Sequence, residues 1–172
     1  MNPILESGVN VFLHPGEYYF GHSDTRIHTT LGSCVALTFW HPLRQCGGMC
    51  HYMLPGAPNS GAPLNGRYGE DALKLMMGEI TRFETCPSDY EVKLFGGANM
   101  YDLGPCGSAV AARNVVAAEA LIKRYNLRVM ARSLGGNGYR QLVFDLASGD
   151  VWVRQGEMPP NALRSCHSGG IV

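Results

Sequence analysis

No stretch of this chain holds the roughly 18 or more consecutive apolar residues that a membrane-spanning helix needs. Its first residues, Met1-Asn2-Pro3-Ile4-Leu5-Glu6, lack the basic and apolar segments of a secretory signal peptide. The cytoplasm is therefore the expected compartment, with no insertion into a membrane. Neither sign of charge is in excess: Lys plus Arg and Asp plus Glu number 14 each. Without a net field, nucleic acid and anionic lipid are not the expected partners. Gly-x-Gly-x-x-Gly and Gly-Lys-Ser/Thr are both missing, so the glycine loops that do occur lack the context of a nucleotide site. No internal repeat is visible.

Glycine is what the chain has in quantity, with 22 residues against a usual share of ~7%. Charged residues make up only 16%, so many short, turn-linked elements around a substantial core are expected. A length of 172 residues is most simply one domain. Its six cysteines (Cys34, Cys46, Cys50, Cys86, Cys106 and Cys166) are expected as free thiols in a reducing compartment.

Val9 to Leu13 and Glu17 to Phe20 read as short strands around His14-Pro15-Gly16, with Ile27 to Leu31 as a third. Val35 to Trp40 and Gly48 to Leu54 read as a hairpin, followed by a Pro/Gly loop at 55–63. A helix is predicted from about Tyr68 to Phe83, because Leu73, Met76, Met77 and Ile80 share one face. The strand Tyr90 to Phe95 ends at Gly96-Gly97. A glycine-rich loop to residue 107 then leads to Ser108, read as the N-cap of a second helix to about Tyr125. Leu127 to Ala131 is a further strand, and Arg140 to Leu146 with Asp150 to Arg154 form a hairpin around Ser148-Gly149. The domain is expected over 1–154, with 155–172 as a mobile C-terminal tail. Strands outnumber the two helices and hairpins outnumber crossovers, which predicts an α+β fold.

Cys34 follows Gly32-Ser33 and opens the apolar strand, and His51 lies on the strand after it. If Pro42 and Leu43 form a two-residue turn, Cys34 faces His51 directly on one side of the sheet. Thiol and imidazole would then be neighbours, as a cysteine nucleophile with a histidine base requires. The Gly-Ser bend could also converge backbone N–H groups beside the sulfur as an oxyanion hole. Two blander readings compete with this one. A cysteine in a strand often packs as a small hydrophobe, and a single histidine is often a hydrogen-bonded structural residue. Zinc is the rival chemistry: Cys46, Cys50 and His51 lie close together, and Cys86 and Cys106 could add ligands. No second Cys-x2-Cys or His-x3-His pair completes such a site, and adjacent Cys50 and His51 would point to opposite faces of a strand. Cys166-His167 meets the same objection.

Several ordered stretches resemble the CheD family of chemoreceptor glutamine deamidases. They include Thr29-Thr30-Leu31-Gly32-Ser33-Cys34, Gly47-Gly48-Met49-Cys50-His51-Tyr52 and Gly66-Arg67-Tyr68. Lys93-Leu94-Phe95-Gly96-Gly97-Ala98-Asn99-Met100, Ala112-Arg113-Asn114 and Leu134-Gly135-Gly136-Asn137 continue the series over roughly residues 8–154. The resemblance implies a catalytic set of Cys34, His51 and Thr29, the threonine preferred to Thr30 through the Ile27-x-Thr29-x-Leu31 arrangement. It implies mixed β-sheets with helices outside, like the deamidases related to cytotoxic necrotizing factor toxins. It also implies hydrolysis of glutamine to glutamate on chemoreceptors, without metal or organic cofactor, and a CheC-type phosphatase as a partner. Ser33 and Tyr101 are the expected substrate-binding residues, and the loops 55–66 and 96–107 the expected docking elements. The alternative function is that of a non-catalytic chemotaxis adaptor.

Overall fold

The computed structural model describes residues 8–56, 61–100 and 105–157, with side chains omitted at 105–108. Among the described residues, nine strands and two α-helices make up the fold. The strands are β1 (Val9–Leu13), β2 (Tyr18–His22), β3 (Thr25–Leu31), β4 (Val35–His41), β5 (Cys46–Tyr52), β6 (Glu91–Gly96), β7 (Arg128–Leu134), β8 (Tyr139–Asp145) and β9 (Val151–Gly156). The helices are α1 (Gly69–Arg82) and α2 (Pro105–Arg124). One sheet has the order β1-β3-β8-β9 and the other β2-β5-β4-β6-β7. Two pairs, β1 with β3 and β6 with β7, are parallel and the rest antiparallel. The α+β expectation holds, with mixed sheets and two helices.

The layering follows from side-chain alternation. On β4 and β5, Leu37, Phe39, Cys50 and Tyr52 point into a core that also holds Leu73, Met76 and Ile80 of α1 and Ala118 and Leu121 of α2. Ala36 and Met49, alternating with them, join Ile27, Leu31, Leu142 and Phe144 in a second core between the two sheets. The five-stranded sheet is thus the middle layer. β3 shows a clean period of two, with Thr25, Ile27, Thr29 and Leu31 buried and Arg26, His28 and Thr30 outward. That alternation puts Thr29 on the inner face and Thr30 on the outer.

The strands β1 and β2, on either side of His14-Pro15-Gly16, belong to different sheets. Two expectations are corrected. Helix α2 begins at Pro105 rather than after Ser108; proline suits a first helical position, where its missing N–H costs no helix bond. The β4–β5 loop has four residues, not two. Gln45 adopts a left-handed φ of 47° and its N–H bonds the His41 carbonyl at 2.9 Å, while the Arg44 N–H bonds His41 Nδ1. His41 then pairs with Cys46, and Ala36 rather than Cys34 lies opposite His51. The register is offset by two from the expected one, and an even offset preserves the face.

Candidate active site

Cys34 sits in the bend between β3 and β4, and every carbonyl of that bend is held. Gly32 O accepts from Ala98 N–H (2.9 Å) and Cys34 O from Gly97 N–H (2.8 Å). Ser33 O accepts from Asn114 Nδ2 (2.9 Å). Gly96 and Gly97 make this close approach feasible, with φ of 111° and 64°. A Cβ on Gly96 would collide with the Cys34 carbonyl oxygen, and one on Gly97 with the Val115 side chain. Cys34 is partly buried and packs against the core between the sheets. Burial pushes its thiol up from the ordinary value.

His51 is 1% exposed near the end of β5. Its backbone is fixed from the β1–β2 turn: its N–H donates to Glu17 O (3.0 Å), and its carbonyl accepts from Gly16 N–H (2.7 Å). Its ring points between the sheets, where Nδ1 lies 2.8 Å from Thr29 Oγ1. Thr29 has one hydroxyl proton, and that goes to the Leu13 carbonyl at 2.9 Å, a group that can only accept. The threonine oxygen must therefore accept from His51, which places the imidazole proton on Nδ1. Nε2 is left as a lone pair, buried and without a hydrogen-bond partner among the described residues. Burial drives the His51 pKa down to about 4, with nearby Glu17 opposing and His14 assisting. The ring is thus neutral at neutral pH, in the tautomer a general base needs.

Extending the β4–β5 pairing by one residue makes Cys34 and His51 diagonal neighbours on one face. Such neighbours are typically about 7–8 Å apart. No hydrogen bond joins Cys34 to His51 Nε2. Strand alternation puts Cys50 on the helix side of β5 and His51 on the side of β3, which separates the ligands the zinc reading needs. Burial lifts the Cys50 thiol to about 12, the state of an inert core cysteine. Cys34, Cys46, Cys50 and Cys86 carry free thiols.

Of the expected site residues, the structure gathers Thr29, Ser33, Cys34 and His51 around the β3–β4 bend. Tyr101 lies outside the described residues, as do Cys166 and His167. Asn114 is the residue the sequence analysis gave no role. The signal for it was a polar side chain within the inward stripe of an alanine-rich helix, between Ala111 and Ala118. No helix among the described residues is long and apolar enough to cross a membrane.

Residues 53–155 match the protein-family model described as CheD chemotactic sensory transduction. A Pseudomonas fluorescens protein is 49% identical over 152 residues, covering 86% of this chain and 85% of its own. One from Pseudomonas savastanoi pv. phaseolicola is 46% identical over 151 residues, covering 86% and 85%. Both carry the name "Probable chemoreceptor glutamine deamidase CheD". A Dechloromonas aromatica protein named "Probable chemoreceptor glutamine deamidase CheD 3" is 44% identical over 162 residues, covering 91% and 94%. The matched family region begins after His51, but a span of 86% of 172 residues takes in positions 34 and 51 wherever it starts. On the extent and identity of these matches, this chain belongs to the CheD family.

Proposed function

We propose that this chain is a protein-glutamine deamidase. It would hydrolyse the side-chain amide of specific chemoreceptor glutamines to glutamate in the cytoplasm, as part of chemotactic adaptation. The observation that carries the proposal is the Leu13 O–Thr29–His51 relay, which leaves a neutral imidazole with its free lone pair at Nε2 on the face of Cys34. The names borne by relatives that align along most of their length support the same activity.

In this reading Cys34 Sγ attacks the glutamine carboxamide carbon. A C–S bond forms, the carbonyl π electrons move to oxygen, and the thiol proton passes to His51 Nε2. Backbone N–H groups of Ser33 and Cys34 stabilise the oxyanion. The imidazolium then gives its Nε2 proton to the departing nitrogen, and ammonia leaves a thioester behind. Nε2 next deprotonates water, whose oxygen attacks the thioester. Collapse returns the proton to sulfur and releases glutamate. Throughout, Thr29 Oγ1 accepts the Nδ1–H bond and stabilises the transient positive ring. The substrate-free site holds a protonated thiol and a neutral ring, so the proton moves only when the amide is in place.

Tyr101 and the loops 55–66 and 96–107 are proposed to dock the receptor's helical domain, and a CheC-type phosphatase is a proposed partner. The layered sheets are proposed to follow the plan of the cytotoxic necrotizing factor deamidases, with 1–154 as the deamidase domain and 155–172 as a C-terminal tail whose first two residues complete β9. The deciding experiment is intact-mass analysis of a chemoreceptor cytoplasmic fragment after incubation with the protein. Each deamidation adds about one mass unit and releases one ammonia. Cys34→Ala should abolish both while leaving the fold intact. Equal conversion by wild type and Cys34→Ala would remove the cysteine from the chemistry, and no conversion by wild type would favour the adaptor.

A further inference from the structure

We infer that Asn114 is a positioning residue, which aims the Cys34 amide at the developing oxyanion by holding the Ser33 carbonyl. The inference rests on the deamidase reading above. Asn114 is fully buried midway along α2. Both of its Nδ2 protons are used, one on Ser33 O at 2.9 Å and one on Met53 O at 2.7 Å. Its own backbone carbonyl accepts from the Tyr52 hydroxyl at 2.7 Å. One side chain therefore ties the bend that carries the nucleophile to the segment just past the base. Its Oδ1 has no partner among the described residues. Burying an orphaned acceptor is unfavourable, and an apolar residue would avoid it. The donor half is what an amide supplies here and an apolar side chain could not.

The geometry of the peptide unit gives that donor its consequence. The Ser33 carbonyl and the Cys34 N–H belong to one planar trans unit and point in opposite directions. Drawing the carbonyl toward α2 turns the N–H away from it. Among the described residues nothing accepts from that N–H. The neighbouring carbonyls of Gly32 and Cys34 are held by backbone amides of Ala98 and Gly97, which no side-chain substitution removes. The Ser33–Cys34 unit is held through a side chain instead, and losing the amide removes the hydrogen bond that fixes its rotation about the Ser33 ψ and the Cys34 φ.

The test compares Asn114→Leu with wild type in two assays. Ammonia release from a chemoreceptor fragment should lose about ten- to a hundredfold in kcat with KM unchanged, because the donor acts in the transition state. Iodoacetamide alkylation of Cys34, a displacement that builds no oxyanion, should stay within about twofold of wild type. Asn114→Ala, which only removes atoms, carries the same test if the leucine variant does not fold. Unchanged kcat in a folded variant would overturn the inference and leave the deamidase reading standing. So would parallel losses in kcat and alkylation, or unfolding of both variants, each of which marks a purely structural residue. A wild-type protein that releases no ammonia would overturn the deamidase reading, and this inference with it.

Discussion

Thr29 Oγ1 sits 2.8 Å from His51 Nδ1 while giving its only proton to the Leu13 carbonyl. The direction of that relay is fixed at its far end, since a carbonyl cannot donate. A threonine is thereby equivalent to the acceptor that a carboxylate supplies in other triads, without bringing a charge into a buried site. The arrangement spans both sheets, from β1 through β3 to β5.

Thr29→Val is expected to lower kcat about ten- to a hundredfold, while Thr29→Ser, which keeps the hydroxyl, retains most of it. Valine leaves a buried carbonyl and a buried Nδ1–H without partners, so unfolding free energy should drop by about 1–3 kcal/mol. Nitrogen-15 spectra of the imidazole should show the Nδ1–H tautomer in wild type and a mixture in the valine variant. A valine variant with wild-type spectra and rate would remove Thr29 from the mechanism.

Cys34 alkylation in the substrate-free protein should climb with pH through 9, with no plateau between pH 5 and 7. The thiol is raised by burial and His51 is uncharged, so no thiolate–imidazolium pair sustains reactivity at neutral pH. Mass spectrometry of the Cys34 peptide separates this signal from the exposed Cys86. A plateau near neutrality would mean that the pair is already ionised before substrate arrives.

Acid should destabilise the fold through His51. Its folded pKa of about 4 lies below the unfolded value of 6.5, so the unfolded chain binds the extra proton between these limits. The contribution is complete above pH 6.5 and is lost as pH falls toward 4. It amounts to on the order of 3 kcal/mol. Urea unfolding at pH 7 and pH 4.5 should reveal the loss, and His51→Gln should flatten that part of the profile.

Gly96→Ala is expected to cost at least about 1–3 kcal/mol, because its left-handed φ of 111° is strained for alanine. The new methyl would also press on the Cys34 carbonyl, so activity should fall with stability. Gly56→Ala, with open space around it, serves as the control and should stay within about 0.5 kcal/mol of wild type.

The sequence made the strands legible because their alternation is local, and α1 because Leu73, Met76 and Ile80 recur on one face. It misjudged the β4–β5 loop, since Pro42-Leu43 does not reveal that His41 would bind residues 44 and 45. The consequence for the site was mild: an offset of two keeps Cys34 and His51 on one face, but turns direct opposition into a diagonal. The partnership of Thr29 with His51 joins strands from different sheets, so no local pattern contains it; the family resemblance supplied it. Asn114 was missed for a related reason. Its partners at Ser33 and Met53 are more than sixty residues distant, and helix periodicity alone reads its position as one more inward place.

All seven residues of β5 are buried, with side chains packed above and below it. The imidazole therefore rides on a strand buried on both faces, while the sulfur stands partly exposed on a bend made of glycine and serine. In the proposed reaction, the adjustment that brings the two groups together is expected from the bend and not from β5. Tuning of rate among related chains should accordingly reside in the loops that press on the bend, and hardly at all in the layer beneath it.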